Sequence, residues 1–114
     1  MPMSILKIYP AEGTWVVRAG GSVIGESTRA LELVQRDWPF VIYFPREDIA
    51  GAVLDPSERK LECDDRGTGV FFHVSSPEGL IENAAYSITE PTEMAAQVKD
   101  YLAFDASKVT VERV

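Results

Sequence analysis

The chain has 114 residues, of which 46% are hydrophobic and 25% are charged, and its formal net charge is −7. This length and composition predict a single folded domain over residues 1–114 and argue against disorder. Binding to nucleic acid or to an anionic membrane surface needs clustered Lys and Arg, and 11 basic residues against 18 acidic ones do not fit either.

No stretch approaches the roughly 20 consecutive apolar residues that cross a bilayer. The first ten residues lack the pattern of a signal peptide. The only cysteine, Cys63, has no second cysteine with which to form an internal disulfide. We therefore expect a cytoplasmic protein that does not enter a membrane.

The first third of the chain predicts four short strands. Residues 14–19 and 22–27 are strand-like runs joined by Gly20 and Gly21, and glycine supplies the positive φ that a tight hairpin turn requires. Residues 6–9 predict a strand before this hairpin. Residues 30–34 predict a strand after it, with one helical turn as the alternative.

The centre of the chain is an apolar run that ends at a proline. Residues 40–44 are apolar at every position, which predicts a strand covered on both faces. Residues 45–54 predict one or two helical turns with Glu47 and Asp48 in the first turn, where the helix dipole favours acids. Residues 55–57, Asp-Pro-Ser, predict a turn.

The remaining sequence predicts more short strands and one short helix. The helix covers residues 92–98, with Thr92 as its N-cap. The strands are residues 60–63, 70–74 and 82–88, followed by a final pair, 102–104 and 109–114. Short strands about ten residues apart predict a mainly β fold, a compact antiparallel sandwich or open barrel with one or two short helices.

Charged residues directly after the central strand are the first candidates for a site. Arg46 offers a planar guanidinium that can hold a carboxylate or phosphate, and Asp48 lies two residues further on. The alternative is a solvated turn whose acids, Glu47 and Asp48, cap the next helical turn.

Cys63 is the second candidate, because a cysteine thiolate can act as a nucleophile when a cation lies nearby. Arg66 follows three residues later, whereas Asp64 and Asp65 would oppose thiolate formation. The alternative is a small buried residue. Cys63 and His73 alone cannot form a structural zinc site, which needs four ligands, and no metal is predicted.

Glu26 closes the predicted hairpin and is a further polar candidate, with ordinary strand-end polarity as the alternative. The phosphate-binding loop, the dinucleotide-binding fingerprint and the G-x-S-x-G nucleophile motif are absent. The sequence therefore predicts no cofactor.

Five segments in order resemble the signature of the DUF427 family, small bacterial and fungal proteins of unknown function. They cover roughly residues 14–114 and are GSVIGES with Arg29-Ala30, YFPR with Asp48, Cys63 with Arg66-Gly67, AAYS with Glu90-Pro91, and YLAF at residues 101–104. The resemblance implies a compact, mainly β domain of a tent-like shape that is often a dimer. It implies no reaction.

The chain departs from the family pattern at three places. Asp64 and Asp65 stand where a proline and an aromatic residue are usual, Tyr86 replaces a tryptophan, and Ile88 stands where tyrosine is common. If those aromatic residues line a ligand site, this member binds a different ligand or binds more weakly. The family has sometimes been labelled nucleotidyltransferase, but this sequence has no paired-carboxylate metal motif beside a Gly-Ser element.

Two hypotheses follow, and whether the protein is an enzyme is left open. In the first, a polar pocket at strand ends binds an anionic small molecule. Arg46 and Arg66 hold the anion, Asp48 or Glu26 orients Arg46 or acts as a base, and Cys63 packs or attacks. Tyr43 and Tyr86 complete the predicted ligand-binding residues.

In the second hypothesis, the chain is a non-catalytic structural or protein-interaction module. Its polar residues are then scaffold ion pairs, Arg46 with Asp48 and Arg66 with Glu26, and the function lies on a partner surface. A homodimer is compatible with both hypotheses.

Overall fold

Strands dominate residues 5–114, the part of the chain that this computed structural model describes. The mainly β class is thereby confirmed. Three short 3-10 helices interrupt the strands at Arg46–Asp48, Gly51–Val53 and Glu93–Val98. The strands are β1 (Leu6–Pro10), β2 (Trp15–Ala19), β3 (Ser22–Ser27), β4 (Leu31–Gln35), β5 (Val41–Tyr43), β6 (Leu54–Cys63), β7 (Gly67–Ser76), β8 (Gly79–Pro91), β9 (Leu102–Phe104) and β10 (Thr110–Arg113).

The strands form three antiparallel sheets. Sheet A has the order β1-β4-β5, sheet B has the order β10-β2-β3, and sheet C has the order β6-β7-β8-β9. The prediction that residues 102–104 and 109–114 pair with each other is wrong, because β9 pairs with β8 and β10 pairs with β2. The short turn between them carries the chain from sheet C to sheet B.

The predicted Gly-Gly hairpin is confirmed between β2 and β3. Gly20 and Gly21 have φ of +57° and +82°, the positive values that a type I′ turn needs at both central positions. Residues 30–34 were predicted as a strand, and β4 confirms this.

The central strand is buried on both faces, as its apolar run predicts. Side chains alternate along it, so that Ile42 and Phe44 join one hydrophobic core and Tyr43 joins the other. Tyr43 and Phe44 have no solvent exposure. Phe40, however, is 53% exposed and precedes the strand, and Val41 is only partly buried, so the run predicted as strand is buried only from its third residue, Ile42, onward.

Two hydrophobic cores share sheet C. The larger core joins sheet B to one set of sheet C side chains, including Phe72, Val74 and Ala85. The smaller core joins sheet A and the 3-10 helix Glu93–Val98 to the alternate set, including Ile88 and Ala103. The second face of sheet C therefore brings Tyr86 towards Tyr43.

Pairing within sheet C extends β6, β7 and β8 beyond their predicted limits. Residues 55–57 are not a turn, because Asp55 and Pro56 pair with His73 and Phe72 of β7. The ladder shifts register between Pro56 and Lys60, which accommodates a proline that cannot donate a backbone hydrogen bond. Likewise β8 covers Gly79–Pro91 rather than residues 82–88 alone.

The helical predictions hold in position but not in capping. Residues 45–54 contain two single 3-10 turns, with Glu47 and Asp48 in the first. Thr92 occupies the predicted N-cap position of the helix Glu93–Val98, but its side chain makes no capping hydrogen bond. Its hydroxyl instead donates to the carbonyl of Asp65, which fixes the loop that carries Arg66.

Candidate functional site

The loop between β6 and β7 presents Arg66 from a tightly held backbone. Thr92 donates its N–H to the Arg66 carbonyl at 2.9 Å, and its hydroxyl donates to the Asp65 carbonyl at 2.8 Å. The amide of Gln35, which is 4% exposed, donates to the Asp65 carboxylate at 2.6 Å. Three contacts from two distant elements therefore fix the direction in which Arg66 leaves the loop.

Gly67 explains why a glycine follows this arginine. Its φ is +119°, and a Cβ there would lie 2.3 Å from the carbonyl oxygen of Glu90 and 2.6 Å from the Cα of Pro91. Only a residue without a side chain lets β7 start so close to the end of β8. The glycine thus keeps Arg66 beside the strand that carries Tyr86.

Two phenols from two different sheets converge on Arg66. Tyr43 of β5 and Tyr86 of β8 each accept a hydrogen bond from Nη1 of Arg66 at 3.2 Å. The two phenol oxygens are 3.4 Å apart, and the rings meet edge to face with centroids 6.1 Å apart. Nε of Arg66 is buried and has no hydrogen-bond partner among residues 5–114.

The positive charge of Arg66 has no carboxylate partner within the described residues. The ion pairs found there join Arg18 to Glu112 and Arg29 to Glu47 and Asp48. Burial favours the neutral form of Arg66, but the oxygens of Tyr43 and Tyr86 and the sulfur of Cys63 outweigh it and raise the pKa of Arg66. The guanidinium is therefore charged and only partly hydrated.

Tyr43 stays a neutral phenol. Burial is the main cause that raises the pKa of Tyr43 well above its ordinary value, and Tyr86 raises it further, more than Arg66 lowers it. Tyr43 therefore contributes a hydroxyl dipole to Arg66 and no compensating negative charge.

Alkaline unfolding tests this protonation state. Above pH ~10 the unfolded chain releases the Tyr43 proton that the folded chain keeps, so stability falls as pH rises, by up to about 1.4 kcal/mol per pH unit. In urea unfolding between pH 8 and 11, the Tyr43→Phe variant should lose stability less steeply than the wild type. Tyr9→Phe, at an exposed position, is the control. Equal slopes for Tyr43→Phe and wild type would contradict the assignment.

A cavity of about 690 Å³ opens beside Arg66 and Tyr86. Phe71 lies directly across from Tyr86 in the β7–β8 ladder and forms part of the same wall. The other lining residues come from β2, the loop before β5, β5 itself, β9, the turn after β9 and β10: Trp15, Trp38, Pro39, Phe40, Val41, Ile42, Phe104, Asp105, Ala106 and Val111. An anchored cation therefore borders a largely aromatic hollow.

A second polar group lies at the end of β3 and does not line this cavity. The Ser27 hydroxyl donates to Asp48 at 2.6 Å and accepts the backbone N–H of Arg29 at 2.9 Å. Arg29 also contacts the carboxylates of Asp48 and Glu47 at 3.2 to 3.3 Å. We call these four residues the Asp48 clasp. Asp48 in particular raises the pKa of Arg29. Ser27 is only 2% exposed, so the clasp ties β3 to the turn after β5.

The remaining predicted site residues are dispersed. The guanidinium of Arg46 lies over the Phe72 ring, 5.0 Å from its centroid. Glu26 is exposed on β3, opposite Val16, and Cys63 is half-buried at the end of β6. The predicted pairs Arg46–Asp48 and Arg66–Glu26 do not form, because Asp48 pairs with Arg29 and Arg66 binds the two phenols.

The sequence predicts Tyr43, Arg66 and Tyr86 as site residues, but it does not predict most of the residues that line the cavity. Trp38, Phe71 and Phe104 also line the cavity, and Phe104 is at the same time part of the larger hydrophobic core. Neither Gln35 nor Asp105 is among the predicted site residues. The exposed Trp-Pro-Phe sequence before the buried strand was the one available signal, because large apolar residues in a loop are unusual without a partner.

The part of the chain described here, residues 5–114, has no group of three or more His, Cys, Asp or Glu side chains arranged to hold a metal ion. Nor does any helix in that range have the length and apolar character needed to cross a membrane.

Comparison with known proteins identifies a family whose function is unknown. No curated protein matches the chain. The model of a family described as a domain of unknown function (DUF427) matches residues 7–114, which includes all five resembling segments. Within these segments lie Tyr43, Arg66, Gly67 and Tyr86. The chain therefore belongs to the DUF427 family.

Proposed function

We propose that the protein binds an anionic small molecule in the cavity beside Arg66. The observation that carries the proposal is a half-buried guanidinium that borders a cavity and has two phenol oxygens, rather than a carboxylate, as its partners. Arg66 thus has a positive charge that no carboxylate contacts, at a position that a ligand can reach.

The desolvation of Arg66 is the physical reason for expecting an anion beside it. Removing a guanidinium from water costs free energy that a nearby anion normally offsets. For Arg66, hydrogen bonds to two phenol oxygens offset part of this cost. Its buried Nε has no hydrogen-bond partner in residues 5–114, so the cost of desolvating that group is not offset. An anion that contacts Arg66 from the cavity would form a charge-assisted hydrogen bond worth about 1.5–3 kcal/mol.

The negative overall charge of the chain does not oppose this proposal. At a net charge of −7 the surface repels anions at long range. However, repulsion between solvent-exposed charges is screened within about 8–10 Å at physiological salt, whereas a partly buried contact is screened much less. The affinity therefore depends on the local cation.

The test is titration of wild type, Arg66→Met and Arg46→Met with acetate, phosphate and benzoate at constant ionic strength, followed by calorimetry. Wild type should bind at least one of these anions, and Arg66→Met should weaken that binding at least about tenfold. Arg46→Met is the matched control, since Arg46 stacks on Phe72 away from the cavity lining. No binding of any anion, or equal binding by Arg66→Met, would refute the proposal.

The stability of the same Arg66→Met variant separates this proposal from the interaction-module hypothesis. If Arg66 serves as scaffold, its loss leaves two buried phenols without their donor and lowers the free energy of unfolding by several kcal/mol. If Arg66 awaits an anion, replacing an unpaired charge with an apolar chain of similar length should leave the ligand-free protein as stable as wild type, or up to about 1 kcal/mol more stable. Urea unfolding without added anions measures the difference.

The exposed aromatic loop is the observation that favours the interaction module. Trp38 is 63% exposed and Phe40 is 53% exposed, which suits a surface covered by a partner or by a second copy of the chain. The predicted homodimer remains a proposal that light scattering tests. Unlike anion binding, a partner surface at Trp38 and Phe40 does not require Arg66.

A further inference from the structure

The walls of the cavity beside Arg66 are richer in aromatic rings than an inorganic anion would need. Of its 13 lining residues, six are aromatic: Trp15, Trp38, Phe40, Phe71, Tyr86 and Phe104. A volume of about 690 Å³ also exceeds what acetate or phosphate fills, and it lies within the range of roughly 300–1,000 Å³ of cofactor and drug-sized sites.

Several of these rings are held in place before any ligand arrives. The Trp15 indole donates to the Glu12 carbonyl at 3.0 Å and meets the Phe40 ring edge to face, with centroids 6.3 Å apart. Phe71 and Tyr86 lie 5.8 Å apart, and the Arg59 guanidinium covers the Phe71 ring at 4.7 Å. Fixed rings of this kind accept another ring stacked or edge-on at little conformational cost.

Trp38 provides ring surface that a ligand could cover. Its side chain lines the cavity and yet is largely exposed. The backbone N–H of Trp38 donates to the Gln35 carbonyl at 3.2 Å, so the loop that carries the ring is anchored next to the residue that holds Asp65. A ligand that covers Trp38 would therefore be linked to the Arg66 loop through the buried side chain of Gln35.

Asp105 sets the polarity at another part of the cavity lining. The backbone N–H and the hydroxyl of Ser107 donate to Oδ1 of Asp105 at 2.9 and 2.6 Å. These bonds lower the pKa of Asp105 and keep it ionised. A cavity with Arg66 and Asp105 among its lining residues therefore presents both a positive and a negative group to one ligand.

We propose that the ligand is an aromatic monoanion with a hydrogen-bond donor away from its acidic group. The acidic group contacts Arg66, the ring lies among the aromatic walls, and the donor faces Asp105. This inference rests on the proposed function and narrows its ligand class. A second anionic group on the ring would meet Asp105 and be repelled.

The probes are acetate, benzoate, 4-aminobenzoate and terephthalate, titrated at pH 7 into the full chain. Dissociation constants come from calorimetry, and the two indole N–H signals in NMR spectra report contact, because Trp15 and Trp38 are the only tryptophans and both line the cavity. Benzoate should bind about tenfold more tightly than acetate. 4-Aminobenzoate should bind at least as tightly as benzoate, and terephthalate about tenfold more weakly than benzoate.

Two variants locate the discrimination. Asp105→Asn keeps an oxygen acceptor for Ser107. It should reduce the difference in affinity between benzoate and terephthalate at least about threefold, while the ratio of the affinities for benzoate and acetate stays constant. Trp38→Ala, at an exposed position, should weaken benzoate about threefold and leave acetate unchanged.

The outcomes separate the two proposals. Equal, Arg66-dependent binding of acetate and benzoate would leave the anion site standing and overturn the aromatic ligand. Terephthalate binding as tight as benzoate in wild type would overturn the role of Asp105. Benzoate binding that shifts neither indole signal, or that survives Arg66→Met, would overturn both proposals.

Discussion

The Gly69→Ala variant is expected to lose about 3 kcal/mol or more of its free energy of unfolding, a large part of the roughly 5–15 kcal/mol that stabilises a folded domain. A Cβ at Gly69 would lie 1.9 Å from the carbonyl oxygen of Ser87 and 2.9 Å from the Cα of Ile88. Both atoms belong to the backbone of the neighbouring strand, so no side-chain rotation can relieve the clash. Circular dichroism during urea unfolding measures the loss.

Gly51→Ala is the matched control for this substitution. Gly51 lies in a 3-10 turn, its φ is not positive, and a Cβ there would meet nothing within 4 Å. Its replacement should leave stability unchanged or raise it by about 0.4–1 kcal/mol through lower entropy of the unfolded chain. A Gly69→Ala protein as stable as Gly51→Ala would show that β7 and β8 can separate without cost.

The consequence of Gly69→Ala for the site follows from the same ladder. Gly69 pairs with Ile88, two residues beyond Tyr86, and the register already shifts between Thr68 and Gly69. Pushing β8 away at this point moves the Tyr86 phenol relative to Arg66. Any folded fraction of this variant should therefore bind benzoate more weakly than wild type.

Local chemistry predicted much of the fold. Glycines in the β2–β3 turn and the alternation around Tyr43 depend on neighbouring residues only, and both are confirmed. Residues 55–57 carry the local chemistry of a turn, but pairing of Pro56 with Phe72 overrides it. β9 and β10 are close in sequence, yet each completes a different sheet, because the buried faces of sheets B and C both require a further strand.

The site was harder to predict than the fold because it depends on register. Tyr43, Arg66 and Tyr86 lie on three elements of two sheets, and their meeting depends on which residues face each other across β7 and β8. A shift of one residue would turn Tyr86 to the opposite face of its strand. Arg46 and Asp48 are close in sequence but contact different partners, a ring and the Asp48 clasp.

Phe44→Ala should lower the free energy of unfolding by about 3–5 kcal/mol, because it removes a fully buried ring and leaves a cavity in the core. Its ring meets Phe104 edge to face at 5.8 Å, and its backbone exchanges hydrogen bonds of 2.7 and 2.9 Å with Leu102. These contacts join sheet A to sheet C. For a chain of this size the loss lowers Tm by more than about 10 °C, which calorimetry can measure.

Phe40→Ala makes the same chemical change four residues earlier, and it separates stability from binding. Phe40 is half-exposed and lines the cavity, so its loss should change Tm by at most a few degrees. It should nevertheless weaken benzoate binding, because the ring that contacts Trp15 is gone. Equal losses of Tm in both variants would contradict the burial pattern. Unchanged benzoate affinity in Phe40→Ala would place the ligand away from this wall of the cavity.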